Sequence, residues 1–330
     1  MRFTAINLDR LPAPQIIEQP DFETIFAARK ARLIELAPHL APALELESEP
    51  LVKLLQEDSY RELILRAAVQ DAGAGNLLAY ASGALLDHLA AFYGVERLVI
   101  QEADASVSPP IEEVLEDDAR LRARVQLAPE GFTTAGSIGS YLFWALSSSA
   151  FIKDVDIRAP RFSKAEIAPE LQAQLPESAI VLVVDDDAGL ENPMPGDVAL
   201  SVLSSQGNGV PSAELIDGVL ATTLPRRPLT DRPIAKAAII QEYTVEAELI
   251  LYDGPDAELV RQASVAAVQA FVDEHHRLGH DITIAGLHAA LYREGVQDIH
   301  ITAPAATLEI GSDTAAHCTQ ITVTVGGRDV

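Results

Sequence analysis

The densest set of metal-ligating side chains is Glu274, His275, His276 and His280, with His288 further on. His276 and His280 stand four residues apart, a spacing that places two imidazoles on one helical face and can hold a metal ion. Gly279 falls between them and reads as the end of the helix. No Glu separates the two His, so the metalloprotease pattern is absent. A polar helix end accounts for the same residues, because His is favourable near a C-terminal helix dipole. Asp185, Asp186 and Asp187 follow an apolar strand, where carboxylates can hold magnesium. Ala188 and Gly189 follow at once, which reads as a solvated turn, and no phosphate loop is present to share the ion. The enzymatic reading of the chain is a metal-dependent hydrolase built on residues 275–288 and this acidic turn.

Three further constellations are fragments. Gly73-Ala74-Gly75 resembles part of a dinucleotide fingerprint but follows a helical pattern, not a strand. Gly136-Ser137-Ile138-Gly139 has Ala135 where a nucleophile elbow needs its leading Gly. Cys318 adjoins His317, yet neighbours on a strand point to opposite faces. Phe143 and Trp144 read as core. Arg226 and Arg227 are the one basic doublet near a loop. They read as neutralising carboxylates, within the chain or across an interface. These residues supply no catalytic residue, cofactor site or metal site.

The elements that would carry them are as follows. Residues 1–20, with Pro12, Pro14 and Pro20, form an extended arm. Asp21 caps a helix bearing Phe22, Ile25, Phe26, Leu33 and Leu36, which stops before Pro38. Ser48 caps a second helix running to about Asp71, some 35 Å at about 1.5 Å per residue. Its apolar stripe is Leu51, Leu54, Leu55, Leu65 and Val69. A third helix spans about 77–93, with Leu78, Ala81, Leu85, Leu89 and Phe92 inward and Gly94 at its end. Long helices with narrow stripes pack either within one chain or against a partner chain. Residues 99–112 read as linker, 112–126 as a charged helix, and 140–147 as another. Strands are expected at 152–158, 180–184 and 198–203. Ser212 caps a helix to about Leu224, and 226–231 is an extended connector. Tyr243, Val245, Ala247, Leu249 and Leu251 alternate with polar neighbours, as in a half-buried strand. Pro255 opens a helix to about Leu278, a short helix covers 285–294, and strands close the chain at 296–301 and 321–325.

The fold class is therefore α+β: an N-terminal helical region, a central small α/β domain and a C-terminal small sheet with helices on one face. The expected division is 1–112, 113–205 and 206–330.

The 330 residues carry 24 Lys and Arg against 49 Asp and Glu, a net charge of −25. The excess is spread along the whole chain, so no acidic tail is indicated. Such a surface disfavours nucleic acid, whose phosphates need clustered cations, and anionic membranes for the same reason. Hydrophobic residues make up 48%, enough for packed cores. Cys318 is the sole cysteine, which excludes an internal disulfide. Residues 1–20 lack the pattern of a signal peptide, and no apolar run is of membrane-spanning length, so a protein made in the cytoplasm is expected. Aromatic residues at 5% argue against a glycan-binding module, which stacks sugars on exposed rings.

A set of collinear stretches carries more information than any of these sites. Leu11-Pro12-Ala13-Pro14, Asp21-Phe22-Glu23 and Leu46-Glu47-Ser48-Glu49-Pro50-Leu51-Val52-Lys53-Leu54-Leu55-Gln56-Glu57 come first. Leu86-Asp87-His88-Leu89-Ala90, Gly94-Val95-Glu96-Arg97, Leu121-Arg122-Ala123-Arg124 and Pro129-Glu130-Gly131-Phe132-Thr133-Thr134-Ala135-Gly136-Ser137 follow. Gly207-Asn208-Gly209-Val210-Pro211-Ser212, Arg227-Pro228-Leu229-Thr230-Asp231, His276-Arg277-Leu278-Gly279 and Glu294-Gly295-Val296 complete the set. In this order the chain resembles the baseplate J-like wedge proteins of contractile-tailed phages, over essentially its whole length.

That resemblance implies a structural virion component and no catalytic residues or cofactor. In such particles two copies combine with one copy of a second wedge protein through a three-chain helical bundle. C-terminal domains then link wedges into a ring around the hub. The implied partners are a second copy of itself, a second baseplate wedge protein, and the sheath-initiator and central hub proteins. The implied location is the tail baseplate, assembled in the bacterial host cytoplasm. Leu51, Leu54, Leu55, Leu65 and Val69, with Arg226 and Arg227, are the expected partner-interface residues.

Overall fold

The computed structural model describes residues 6–176, 178–254 and 256–329. Residues 1–5 of the expected arm and Pro255, the expected helix opener, lie outside them. The chain folds as mixed α+β and divides into two compact units. One combines residues 6–97 with Asp117–Gln126. The other combines Leu98–Glu116 with the residues from Leu127 onward.

The first unit is helical. Asp21 accepts the Thr24 amide at 2.7 Å and starts α1, Phe22–Leu36. That bond holds the Asp21 carboxyl below its usual range. Helix α2 is Pro50–Ala74, about 37 Å long. Its N-cap is Glu49, one residue past the expected Ser48, because Pro50 takes the first helical position and needs no amide partner there. The third helix is shorter than its pattern: α3 is Gly83–Ala91, and residues 75–80 form turns. Leu86 and Ala90 fill the core from α3, whereas the expected stripe residues Leu85 and Phe92 face solvent. Ile25, Leu44, Val52, Ala81, Val95, Leu121 and Val125 are buried in this unit as well. The arm lies along α2 by side-chain bonds. Gln70 accepts the Ile16 amide and donates to the Pro14 carbonyl, and Tyr80 donates to the Leu11 carbonyl.

The second unit opens with an antiparallel ribbon, β1 (Val99–Gln101) with β2 (Val114–Leu115). The expected linker is therefore paired chain. Helix α4, Asp118–Gly131, belongs to the first unit as far as Gln126 and to the second from Leu127; it starts six residues later than its pattern and continues through Pro129. Helix α5 is Ile138–Leu146, and Ser137 caps it by accepting the Ser140 amide. Strands β3 (Ile152–Arg158) and β4 (Arg161–Lys164) follow, then the short α6 (Pro169–Gln172) and β5 (Leu182–Asp186). Strand β4 was not anticipated; it pairs with β5. Next come β6 (Asp197–Ser204), α7 (Ala213–Thr223) and β7 (Arg232–Ala237). The sheet order is β3-β6-β7, and β6, at the centre, is buried along its whole length. Leu200 and Val202 of β6 pack on Tyr141 and Ala145 of α5 and Val219 of α7.

The C-terminal sheet is β8 (Ile239–Tyr252), β9 (Val296–Ala303) and β10 (Thr314–Asp329), in the order β10-β8-β9. Strand β8 runs parallel to β10 and antiparallel to β9. The alternation read from the sequence is real: Tyr243, Val245, Ala247, Leu249 and Leu251 are buried. They meet Val260, Val268 and Val272 of α8 (Ala257–His275) and Leu287 and Leu291 of α9 (Ile284–Leu291). Among the described residues no helix is long and apolar enough to cross a membrane.

Candidate functional site

The residues expected to do chemistry have structural partners. His275 Nδ1 lies 2.9 Å from the Phe271 carbonyl, and its ring stacks on Phe271 at 4.0 Å. His276 turns away from that pair. Its Nδ1 is 2.7 Å from the Ala316 carbonyl and its ring lies 5.4 Å from His317. Burial, with Lys153 and His317 nearby, pushes its pKa down, so the ring is neutral at pH 7. His280 faces His275 at 6.0 Å. Among the described residues no group of three or more His, Cys, Asp or Glu is arranged to hold a metal. Asp186 accepts the Ala188 amide and pairs with Arg158 at 2.7 Å, which lowers its pKa. Cys318 packs against the C-terminal core, and burial pushes its thiol up, away from a reactive thiolate. Gly73 lies under Ile16 in the helical unit, and Ser137 serves as a cap.

The expected interface residues fall in two places. On α2, Leu54, Leu65 and Val69 are 56%, 66% and 48% exposed, and Leu51 and Leu55 are half-buried. Ile64, outside the expected stripe, is also exposed. The side of α2 that carries Glu62, Arg66 and Gln70 adjoins this stripe and meets its own unit. Glu62 pairs with Arg29 at 2.8 Å and with Arg66, Arg66 donates to the Glu18 carbonyl, and Gln70 holds the arm. Those two guanidiniums hold the Glu62 carboxyl below its usual range. Leu54, Leu65 and Val69 are thus turned outward together with the charged Lys53, Glu57 and Arg61, while Val52 is buried, so α2 leaves an apolar strip in solvent beside charged positions.

Arg226 and Arg227 flank a braced loop. Arg226 lies over the Trp144 ring at 4.0 Å and donates to the Thr222 carbonyl at 2.7 Å. Arg227 donates to the Asp231 carbonyl at 2.5 Å. Buried Tyr141 donates to Asp231 Oδ2 at 2.9 Å. Gly136, at φ +67°, leaves room for Pro228: a Cβ there would lie 2.7 Å from the proline ring and 2.8 Å from Asp231 Oδ2. The tip residue, Leu229, is fully exposed, which no local pattern announced. Gly136→Ala combines a strained φ with that clash, at a cost of about 1–3 kcal/mol. It is expected to lower the melting temperature and to speed tryptic cleavage after Arg226, read by mass spectrometry.

Of the two surfaces, α2 lies within a stretch that matches a known family, and the 226–231 loop lies outside both matched stretches. Residues 47–104 match the baseplate J-like N-terminal domain, and residues 243–324 match the baseplate J-like protein C-terminal domain. Baseplate protein J of Escherichia phage P2 is 39% identical over 332 residues, which cover 98% of this chain and 99% of that protein. The chain belongs to the baseplate J-like family. It is a structural subunit of a tail baseplate. A solved structure of the anti-feeding prophage baseplate, six-fold symmetrised, overlaps 63% of this baseplate J-like chain at 14% identity and a TM-score of 0.39. The chain spans 43% of the length of that solved chain.

Proposed function

We propose that this chain is a wedge subunit of a contractile-tail baseplate and acts through assembly, not catalysis. The observation that carries the reading is the apolar strip left exposed on α2. A long helix that turns Leu54, Leu65 and Val69 to water is suited to receive other chains. The occupants are helices of a second copy and of a second baseplate wedge protein. Sheath-initiator and central hub proteins are the further neighbours. In the three-part division 1–112, 113–205 and 206–330, the first part supplies the bundle and the last meets neighbouring wedges. The test is mass measurement after co-expression with a second baseplate wedge protein. A stable complex with two copies of this chain supports the reading, and two proteins that purify apart refute it.

The charge of −25 bears on timing. Like-charged chains repel at long range, which keeps them apart until the correct partners meet. Purified alone, the chain is expected to be monomeric or weakly associated. Association should rise as salt shortens the screening length to about 8 Å near 0.15 M and below that at higher salt. Sedimentation velocity across a salt series checks this, and a tight oligomer indifferent to salt would contradict it.

A further inference from the structure

The second unit carries a knob and a socket at the two ends of one helix. The knob is Leu229, fully exposed on the loop braced by Tyr141, Asp231 and Gly136. The socket is an open cavity of about 470 Å³ beside the N-terminal half of α7. Phe151, Val210, Pro211 and Leu215 supply its apolar lining, and Glu214 is its charged residue. Its wall is firm: the Ser205 amide donates to the Phe151 carbonyl at 2.8 Å, and the Ser204 amide donates to the Gly209 carbonyl at 2.7 Å. Gly218 also lines it, and a Cβ built there meets nothing within 4 Å.

The two features are complementary in charge. Arg226 and Arg227 donate to neutral carbonyls, those of Thr222 and Asp231. The stretch 200–225, which contains the socket helix, has Glu214 and Asp217 and no Lys or Arg. A chain cannot use its own pair, because its own Leu229 stands fully in solvent. We infer that the 226–231 loop of one copy docks in the α7 cavity of a second copy, with Leu229 against Phe151, Val210 and Leu215 and an arginine of the loop reaching Glu214. This rests on the baseplate reading and names the surface by which copies meet. The contact is head-to-tail, since knob and socket are different patches, and such contacts close into rings when the rotation permits. The braced loop loses little freedom on docking, which favours a small contact. One leucine and one ion pair form a weak joint, suited to many copies held together at once.

The test uses the full chain with Cys318→Ala, as two single-cysteine variants, Leu229→Cys and Gly218→Cys. Each alone and an equal mixture are oxidised at high protein concentration and moderate salt. A mixed disulfide dimer that dominates the mixture and is lost when the Gly218→Cys partner also carries Glu214→Arg is the expected result. In a second readout, Gly218→Trp, at a position where a Cβ meets nothing within 4 Å, places a large ring at the socket and should abolish the salt-promoted association of the otherwise native chain. Leu229→Cys dimers as abundant as the mixed product, or no mixed product, overturn the inference. So does unchanged association of Gly218→Trp. Mass measurement with the second wedge protein separates the two failures. If that complex forms while the mixed disulfide does not, the wedge reading stands and the docking falls.

Discussion

Leu54→Asp with Leu65→Asp stops wedge assembly and leaves the chain folded. Both side chains are more than half exposed on α2, so the isolated protein loses little on substitution, within about 0.5 kcal/mol each. The assembled state responds differently. Leu54 and Leu65 are eleven residues apart, about three helical turns, and so project from the same side of α2. In a bundle with other chains both carboxylates enter an apolar interface without a cation. Each then costs several kcal/mol. At about 1.4 kcal/mol per factor of ten, complex formation falls by roughly a thousandfold or more. Co-expression with the second wedge protein followed by mass measurement reads the loss, and an unchanged circular dichroism spectrum shows that the fold persists. Normal tail assembly with the double variant would show that this face meets no partner.

Asp197→Asn destabilises the sheet that carries the braced loop and removes part of its acid sensitivity. The Asp197 carboxylate is buried at the start of β6. It accepts two bonds from Arg232, at 2.6 and 2.8 Å, and the Met194 amide at 2.8 Å. The guanidinium holds its pKa below the ordinary carboxylate value, more than burial raises it. A depressed folded pKa contributes stability that is present above the unfolded value, near 3.9, and is lost as pH falls through the folded value. Hydrogen bonds to a charged partner contribute about 1.5–3 kcal/mol each, and the amide of Asn keeps only part of that. A loss of about 2–3 kcal/mol at pH 7 is expected, shrinking below about pH 4 as the unfolded chain's carboxyl takes up a proton that the native one still refuses. Trp144, the sole tryptophan, sits in α5 of the same unit and reports the transition by fluorescence. An equal loss at pH 7 and pH 3 would place the stabilisation outside this ion pair.

Much of the fold is legible along the chain because its signals are local. Asp21 and Ser212 each cap a helix through a bond to an amide three residues on, and the alternation from Tyr243 to Leu251 states which face of β8 is inside. The misreadings share a cause. Leu85 and Phe92 fit a helical stripe, yet the helix begins only at Gly83, so Leu86 and Ala90 face the core instead. Residues 99–112 look like linker because each strand of the ribbon is two or three residues long, too short for a period. Pairing between distant segments, and not local propensity, makes them strands.

The candidate surfaces divide the same way. Residue order alone places the chain among baseplate J-like proteins and sets its α+β class, its charge of −25 and the apolar positions of α2. A stripe, however, states only that residues share a side. Which side faces the chain's own core depends on what else packs there. On α2 that place is taken by the arm and by Arg29, which leaves the leucines outside. In the same way Arg227-Pro228-Leu229-Thr230-Asp231 reads as a connector, and only contacts from residues some ninety positions earlier brace it into a rigid knob. Burial and bracing are sums over neighbours distant in sequence, so the tertiary structure alone decides them.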